Sequence, residues 1–427
     1  MLRYFCAGMI FATLASGAES SVTFNKDVLP ILQRDCQTCH RPGEIGPMPL
    51  LTYQGTRPWA KAIKTAVLSK QMPPWFADPK HGQFANDRSL SPADVKTLAA
   101  WADAGAPEGD AKDRPAPVQF VDGWNIPQPD LVVEMPVEYE VPASGTVEYT
   151  YVIVPTGFTE DKWVQAMEVR PSNRAVVHHA NVYIRRPGSP WLRKYPVGVP
   201  FVPAEQKNSS SAGAPLLDEN VAGFTPGKQT VVLTPGEAKL IPPGSDIVFQ
   251  LHYTPNGTAL KDRTKIGFVF AKTPPEKRVA RIYAANNSFT IPPGAQEYRV
   301  EASTTLQADS VLVSLKPHMH LRGKSMEFRA VYPTGEKEIL LNVPQYSFNW
   351  QLEFILAHPK TLPRGTRLEV TATFDNSPNN PYNPDPAKAV RWGDQTWEEM
   401  AIGYFEVGFS PSLDLTDLFP ARLKQLE

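Results

Sequence analysis

The sequence DSVLVSLKPHMHL, residues 309–321, has the composition of a β-strand and carries two histidines at its end. Six further segments are also rich in β-branched and aromatic residues: VEYTYVIV (147–154), AVVHHANVYI (175–184), DIVFQLHY (246–253), KIGFVFA (265–271), MEFRAVY (326–332) and RLEVTATFD (367–375). Clusters of Gly, Pro and Asn separate these segments, as expected when short strands are joined by turns. The sequence therefore predicts a mainly β protein over this region.

The β-rich region runs from residue 131 to residue 427 and is long for one sandwich, since most domains have roughly 50–250 residues. We expect two β-sandwiches of jelly-roll type, residues 131–273 and 274–427, divided near 272–276. The chain has 44 prolines among 427 residues, which suits short strands and turns better than long helices. Residues 205–229 are expected to form a long loop or insertion.

The first 20 residues, MLRYFCAGMIFATLASGAES, have a basic start at Arg3, an apolar run and small residues up to Ala18. This layout is typical of a secretory signal peptide, so residues 1–18 are predicted to be removed. Removal would discard Cys6 and leave two cysteines, both in one motif, so no structural disulfide is expected. The mature protein is then expected to be periplasmic or secreted.

Charge and hydropathy exclude two classes of partner. The formal net charge is −1 and charges of both signs are interspersed, so neither nucleic acid nor an anionic membrane is indicated. Beyond the signal segment, no stretch approaches the roughly 20 apolar residues that a membrane-spanning helix needs. We therefore expect no nucleic-acid partner and no membrane span in the mature chain.

The motif CQTCH at residues 36–40 has the C-x-x-C-H spacing of covalent c-type haem attachment. Cys36 and Cys39 can form thioethers with the two vinyl groups of one porphyrin, and His40 then presents an imidazole to the iron. A redox motif would not need the trailing histidine, and a zinc site would need further soft ligands nearby. One haem c per chain is predicted.

The surroundings of the motif indicate a small all-α, cytochrome c-like domain over residues 19–112, followed by a proline-rich linker at 113–130. Apolar residues at helical spacing precede Cys36 and recur around Ile63, and Ser91 with Pro92 marks a helix start. Met72, in the loop after the second helix, is the preferred sixth haem ligand, with Met48 and His81 as alternatives. A Met ligand suits electron transfer because it raises the haem potential and leaves no open coordination position.

Five histidines lie in three of the predicted strands. His318 and His320 are two residues apart, so their side chains project from the same face of a strand. His178 and His179 are adjacent and would point to opposite faces, so they can share one metal only if a bulge or strand end intervenes. His252 is the fifth. No HExxH motif and no acidic neighbour accompanies them, which favours copper over hydrolytic zinc. Met400, read by itself, fits core packing better than a role as a ligand.

The order of HHANVY, QLHY, PHMHLRG and the segment containing EEM resembles the copper type II, ascorbate-dependent monooxygenases over residues 128–427. That family includes the peptidylglycine α-hydroxylating and dopamine β-monooxygenases. The resemblance implies two coppers in two β-sandwiches, facing each other across a solvent-filled cleft. It implies an electron-transfer copper held by His178, His179 and His252. It also implies an oxygen-activating copper held by His318, His320 and Met400.

The same resemblance implies hydroxylation of a substrate C–H bond with O₂, using an external reductant that is ascorbate-like or a redox protein. Tyr404 matches a tyrosine near the oxygen-activating copper and Gln250 is a candidate neighbour of the three-histidine site. Lys316 and Ile402 replace an Arg and an Asn that hold a peptide carboxylate in the peptide-hydroxylating members. The substrate is therefore expected to be a small organic or peptide-like molecule.

Three functions remain open from the sequence. In the leading hypothesis the haem domain supplies electrons to a copper monooxygenase. The second is a non-catalytic electron-transfer or copper-handling protein with the same metal sites. The third is a β-sandwich binding module whose histidines are structural.

Overall fold

A computed structural model describes residues 22–44, 46–121, 123–203, 219–225, 230–393 and 395–418 of the chain. The predicted signal peptide, residues 1–18 with Cys6, lies outside the described residues, as does most of the predicted insertion at 205–229. The protein is 12% helical and 37% strand, which agrees with a mainly β architecture of sandwich type. Among the described residues, no helix is both long enough and apolar enough to cross a membrane.

The helices are α1 Leu29–Asp35, α2 Tyr53–Thr56, α3 Ala60–Leu68, α4 Pro92–Asp103 and α5 Leu415–Leu418, with a π-helical turn at Phe24–Val28 and 3₁₀ turns at Arg57–Trp59 and Ala111–Asp113. The first eleven strands are β1 Leu131–Glu134, β2 Tyr139–Val141, β3 Thr150–Pro155, β4 Lys162–Arg170, β5 Val177–Arg185, β6 Glu219–Phe224, β7 Thr230–Val232, β8 Glu237–Ile241, β9 Asp246–Tyr253, β10 Leu260–Asp262 and β11 Lys265–Phe270. The others are β12 Lys277–Asn286, β13 Thr290–Ile291, β14 Tyr298–Thr305, β15 Ser310–His318, β16 Gly323–Val331, β17 Lys337–Val343, β18 Phe354–Leu362, β19 Arg367–Phe374, β20 Val390–Arg391 and β21 Ala401–Phe409.

The strands form one long sheet flanked by two shorter ones. The long sheet has the order β1-β11-β4-β8-β12-β21-β15-β18, with β7 paired to β4. The sheet β3-β9-β5-β6 packs on its first half, and the sheet β14-β19-β16-β17 packs on its second half. Each packing encloses its own hydrophobic core, so two sandwiches share one continuous sheet.

The predicted boundary near 272–276 falls between β11 and β12, where the chain passes from one sandwich to the other. The sheet does not end there, because β8 of the first sandwich pairs in parallel with β12 of the second. Arg281 in β12 also donates to the Asn220 side chain in β6 at 2.7 Å. The two sandwiches are therefore joined by backbone pairing and by a side-chain hydrogen bond.

All seven predicted strand segments overlap observed strands, and 246–253 matches β9 at both ends. Several strands were not predicted from the sequence, among them β14, β17 and β18, and also β4, KWVQAMEVR, and β12, KRVARIYAAN. The last two strands carry charged residues that lie in buried ionic contacts rather than in solvent. Arg278 and Glu168, for example, are 1% and 0% exposed. A prediction from sequence that assumes charged residues to be exposed does not recognise such strands.

The region before the sandwiches is helical, with a core of its own built on Phe24, Leu32, Leu98 and Trp101. Helix α4 begins as predicted, because the Ser91 hydroxyl accepts the backbone N–H of Asp94 at 3.1 Å. These helices lie where the cytochrome-like domain is predicted, which itself stays a prediction.

Residues 75–87 leave the helical region and pack on the second sandwich. Trp75 contacts Phe354 with ring centroids 4.9 Å apart, and Phe84 contacts the same ring at 5.5 Å. The backbone N–H of Ala85 donates to the carbonyl of Ile355 at 2.8 Å, so this segment continues the edge of β18. The loop that follows Met72 is thus tied to the sheet that carries His318.

Candidate metal centres

A β-bulge brings the adjacent histidines of β5 together. The register between β5 and β9 shifts between Val177 and His179, and His179 then pairs with His252. One ring nitrogen from each of His178, His179 and His252 lies within 4.8 Å of the other two. The bulge thus satisfies the condition under which neighbouring histidines can serve one metal.

The three-histidine cluster has an unsatisfied nitrogen at its centre. His252 Nδ1 is buried, and no described group bonds to it. His178 Nδ1 and His179 Nδ1 lie 3.1 Å apart, and the ring of Tyr149 stacks on His252 at 4.8 Å. A buried imidazole nitrogen without a partner is costly, and a metal ion would remove that cost. The donor set therefore fits a three-imidazole metal site.

Burial makes these histidines neutral at physiological pH. Desolvation, reinforced by the nearby His178, lowers the pKa of His252 to about 4. Desolvation also lowers the pKa of His178 and holds the pKa of His179 well below its ordinary value. Neutral imidazole is the form that binds a metal, so the cluster is ready for binding without first losing protons.

The second pair, His318 and His320, lies at the end of β15 with ring centroids 5.3 Å apart. His318 Nδ1 lies 2.9 Å from the side-chain oxygen of Gln351, and His320 Nδ1 lies 3.2 Å from the carbonyl oxygen of Glu398. Both oxygens accept, so each Nδ1 carries the proton and each Nε2 is left with its lone pair. This is the arrangement that orients histidine ligands at metal sites. Desolvation lowers the pKa of His318 to about 3 and of His320 to about 4.

Met400 lies at the same end of the sheet as this pair. It directly precedes β21, in which Ile402 pairs with His318 across the strands. The preceding residue, Glu399, is fully buried, and its carboxylate accepts the backbone N–H of His320 at 2.8 Å and of Arg322 at 2.6 Å. Burial raises the pKa of Glu399 to about 8. One carboxylate thus links the turn after His318 to the backbone next to Met400.

Tyr404 lies one strand away from the pair, with its ring centroid 6.1 Å from that of His318. It faces Lys316 across β15 and β21, and the Arg281 guanidinium lies 5.8 Å from its ring. Lys316 is half-buried, and desolvation, reinforced by Arg281, lowers its pKa to about 7. Gln250 lies two residues before His252, where its side-chain amide donates to the Tyr151 hydroxyl at 2.6 Å.

The haem motif follows α1 in a tight turn. The backbone N–H groups of Cys39 and His40 both donate to the carbonyl of Cys36, at 3.1 and 2.9 Å. His40 Nδ1 lies 3.1 Å from the carbonyl oxygen of Met48, which leaves Nε2 for an axial bond. Burial raises the pKa of Cys36 to about 12, whereas a reactive C-x-x-C pair has a depressed thiol pKa. The residues fit haem attachment better than a redox motif.

The three candidates for the sixth ligand occupy different places. Met48 offers its carbonyl to His40 Nδ1, so it lies on the side of the imidazole away from Nε2. His81 belongs to the segment packed on the second sandwich, where its neighbour Asp78 is bonded to Asn342. Met72 lies in the turn after α3, its backbone N–H bonded to the carbonyl of Ala66 at 3.2 Å. Met48 is one of the residues packed against the helical core, so these positions do not single out Met72, which stays a prediction as the sixth ligand.

Sequence reasoning missed three side chains at these centres: Tyr149, Phe348 and Gln351. Phe348 and Gln351 come from PQYSFNWQLE, the loop of residues 344–353 between β17 and β18, which has neither strand periodicity nor a recognisable motif. Tyr149 lies at the start of a predicted strand but nothing in the sequence pairs it with His252. Glu399 had a weak signal, since two acidic residues directly precede Met400.

Comparison with known proteins leaves the family open. No protein-family model matches the chain, and no curated protein matches it. The solved structures it resembles include infectious bursal disease virus, Gt strain, at 12% identity with a TM-score of 0.20, covering 70% of this chain and 75% of that one. The major capsid protein P2 of bacteriophage PM2 is 12% identical with a TM-score of 0.26, covering 65% of this chain and 99% of that one. Similarity this low carries no argument about fold or function.

Proposed function

We propose that this chain is an exported, copper-dependent monooxygenase of the type II, ascorbate-dependent kind, with a haem domain as its electron inlet. One observation carries the proposal: His178, His179 and His252 converge, and a second pair, His318 and His320, lies near them, with one aromatic ring in contact with both groups. Two neighbouring imidazole groups of different composition suit a two-site redox enzyme better than a single structural metal.

The residues that would hold the metals are assigned by their geometry and chemistry. The three-histidine cluster would hold one copper, and His318 and His320, with Met400, would hold the other. When bound, the coppers supply one electron each and the reactivity toward O₂ that oxygen insertion requires. One oxygen atom enters a substrate C–H bond and the other leaves as water, with two electrons and two protons from an external reductant.

The side chains around the coppers would have separate tasks. Gln351 and the Glu398 carbonyl orient the two histidines of the second site through their Nδ1 protons. Tyr404 and Lys316 would line the space in which a small organic or peptide-like substrate approaches. Tyr404 is proposed to contact the substrate rather than to bind metal, because its ring lies 6.1 Å from that of His318.

The haem domain is proposed to carry one haem c on Cys36, Cys39 and His40, with Met72 as the sixth ligand. Glu44, four residues after the haem motif, forms an ion pair with Arg174, which is four residues before His178 in the first sandwich. This contact between the helical region and the sandwich of the three-histidine cluster supports the proposed role as an electron inlet.

Metal analysis of single-histidine variants tests the proposal. Elemental analysis of the wild-type protein is expected to give two coppers and one iron per chain, and the His252→Ala and His318→Ala variants should each lose one copper. The His358→Ala variant is the matched control, because His358 is exposed in β18 and should leave both coppers in place. Substrate-dependent O₂ uptake then separates catalysis from copper handling: two bound coppers without any uptake across a substrate panel would favour the non-catalytic alternative.

A further inference from the structure

One aromatic ring contacts both histidine clusters. The ring centroid of Phe348 lies 6.2 Å from that of His178, in a stacked arrangement, and 5.9 Å from that of His320, edge to face. The ring centroids of His178 and His320 are therefore separated by at most the sum of these two distances. Phe348 is half-buried, so it fills the space between the clusters without belonging to either sandwich core.

The loop that carries Phe348 is anchored next to the second cluster. The Tyr346 hydroxyl donates to the carbonyl of Met319 at 2.7 Å and accepts its backbone N–H at 3.1 Å. A Cβ at Gly323 would lie 2.8 Å from the Tyr346 ring, so the close approach of this ring requires glycine there. Gln351 adds a third link through His318 Nδ1. The position of the ring is thus set by contacts on both sides of it in sequence.

The two histidine clusters have no direct strand pairing to set their separation. His178, His179 and His252 lie on the sheet β3-β9-β5-β6, whereas His318 ends β15 of the long sheet. The shared sheet joins the two sandwiches, and side-chain packing between them adds to the positioning of the clusters themselves. A phenylalanine ring suits this role because it is rigid, fills space and has no atom that could compete for a metal.

We propose that Phe348 is a positioning residue that holds the three-histidine cluster and the His318–His320 pair at a fixed separation and shields from water the ring faces of His178 and His320 that it contacts. This inference rests on the proposed function in one respect, since it takes both clusters to be copper sites. Phe348 itself would touch neither reacting atoms nor metal, and it acts through His178 and His320. Its removal should change the spacing and hydration of the sites rather than the identity of their ligands.

The test uses the full chain loaded with Cu(II) alone and measures the distance distribution between the two ions by pulsed dipolar EPR. In the Phe348→Ala variant both coppers should remain, and the distribution should broaden about twofold, since the vacated space is refilled only in part. The deuterium modulation from D₂O at both coppers should rise in the same sample. The Trp350→Ala variant, in the same loop, is the matched control and should keep the narrow distribution.

If the alanine variant does not fold, the Phe348→Leu variant is used instead, because leucine keeps part of the apolar volume but is shorter than phenylalanine. A smaller broadening of the distance distribution is expected. An unchanged distribution and unchanged deuterium modulation in a variant with both coppers bound would overturn the role of Phe348 and leave the proposed function standing. If the wild-type protein binds no copper at either cluster, the proposed function and this inference both fail.

Discussion

At the scale of single residues, the candidate centres are defined by where the imidazole protons lie. Gln351 and the Glu398 carbonyl each accept from an Nδ1 of the second pair, so both Nε2 atoms are available. In the three-histidine cluster, by contrast, His252 Nδ1 is buried and no described group bonds to it. The two centres therefore differ in the surroundings of their Nδ1 atoms.

Replacing Gln351 with leucine should weaken copper binding at the second site. His318 would lose the acceptor that fixes its Nδ1 proton and ring orientation, and loss of such a partner typically costs roughly 10–100-fold in metal affinity. Competition with a chelator, followed by the EPR signal of each site, measures the change. The Gln307→Leu variant is the control, since that amide bonds a turn carbonyl, that of Thr305. Equal copper affinity in the two variants would contradict the role of Gln351.

The metal-free protein should lose stability as the pH falls from about 7 to about 4. Desolvation lowers the pKa of His252 to about 4 and of His318 to about 3, whereas a histidine of the unfolded chain has a pKa of about 6.5. The unfolded state therefore takes up protons first. The stabilising effect of the neutral form is complete above pH 6.5 and is lost as the pH falls through the range between the two pKa values. The loss is on the order of a few kcal/mol.

Urea denaturation of the metal-free protein at a series of pH values measures this effect. The His252→Asn variant removes one of the buried histidines and should show a shallower decline below pH 6.5. The exposed His358 serves as a control, since its replacement by Asn should leave the decline as steep as in the wild type. Parallel curves for wild type and His252→Asn would show that protonation of the cluster does not govern the acid sensitivity.

At the scale of elements, two irregular features position the candidate sites. The bulge in β5 turns His178 and His179 toward one point, which a regular strand cannot do. The segment 83–86 continues the edge of β18, so a loop from the helical region completes a sheet of the second sandwich. Pairing of this kind also covers an edge strand, which would otherwise be open to other chains.

The Asn86→Ala variant should loosen this attachment. The Asn86 amide donates to the carbonyl of Glu353 at 2.7 Å, and its oxygen accepts the N–H of Ile355 at 2.9 Å, so its loss leaves two backbone groups of the edge unpaired. Each costs about 1–3 kcal/mol when it stays buried. Hydrogen exchange of the Ile355 amide should accelerate accordingly. Asn379, an exposed asparagine after β19, provides the control variant, and equal exchange in both variants would contradict the prediction.

At the scale of the whole molecule, the shared nine-stranded sheet joins the two sandwiches into one body. Buried charges reinforce the junction. Lys239 in β8 is 1% exposed, and its ammonium lies 2.7 Å from a Glu406 carboxylate oxygen in β21 and 3.4 Å from one of Glu219 in β6. Three strands from both sandwiches thus meet at one cation.

The Lys239→Ala variant should destabilise the whole protein by up to ~3–5 kcal/mol, because it removes the cation that two buried carboxylates share; Glu406 keeps Arg281 at 2.9 Å and Glu219 keeps Arg278 at 4.0 Å. The loss should appear in the unfolding transition of both sandwiches, since the sheet is common to them. Lys261→Ala is the matched control: Lys261 pairs with Glu138 at 3.3 Å on the exposed surface, where water screens the pair and its loss should have little effect. Similar denaturation midpoints for the two variants would show that the junction does not depend on the buried lysine.

Local sequence alone determined the strands rich in β-branched residues, the helix start at Ser91 and the i, i+2 spacing of His318 and His320. Each of these features depends on residues that are neighbours in the chain, so a short stretch of sequence contains all the residues that produce it. The C-x-x-C-H motif belongs with them, because its chemistry needs only five consecutive residues. The haem, the coppers and the reaction follow from these motifs as proposals.

Tertiary structure alone decided the bulge that joins His178 to His179, the sheet that continues from β8 into β12, and the placement of Phe348 and Gln351 against the histidines. Each feature depends on a partner far along the chain: Gln351 is 33 residues from His318, and Phe348 lies on the other sandwich from His178. Register and side-chain packing are set by these long-range contacts. A single sequence does not display them, because side chains of many kinds can pack at such positions and only the folded geometry selects one.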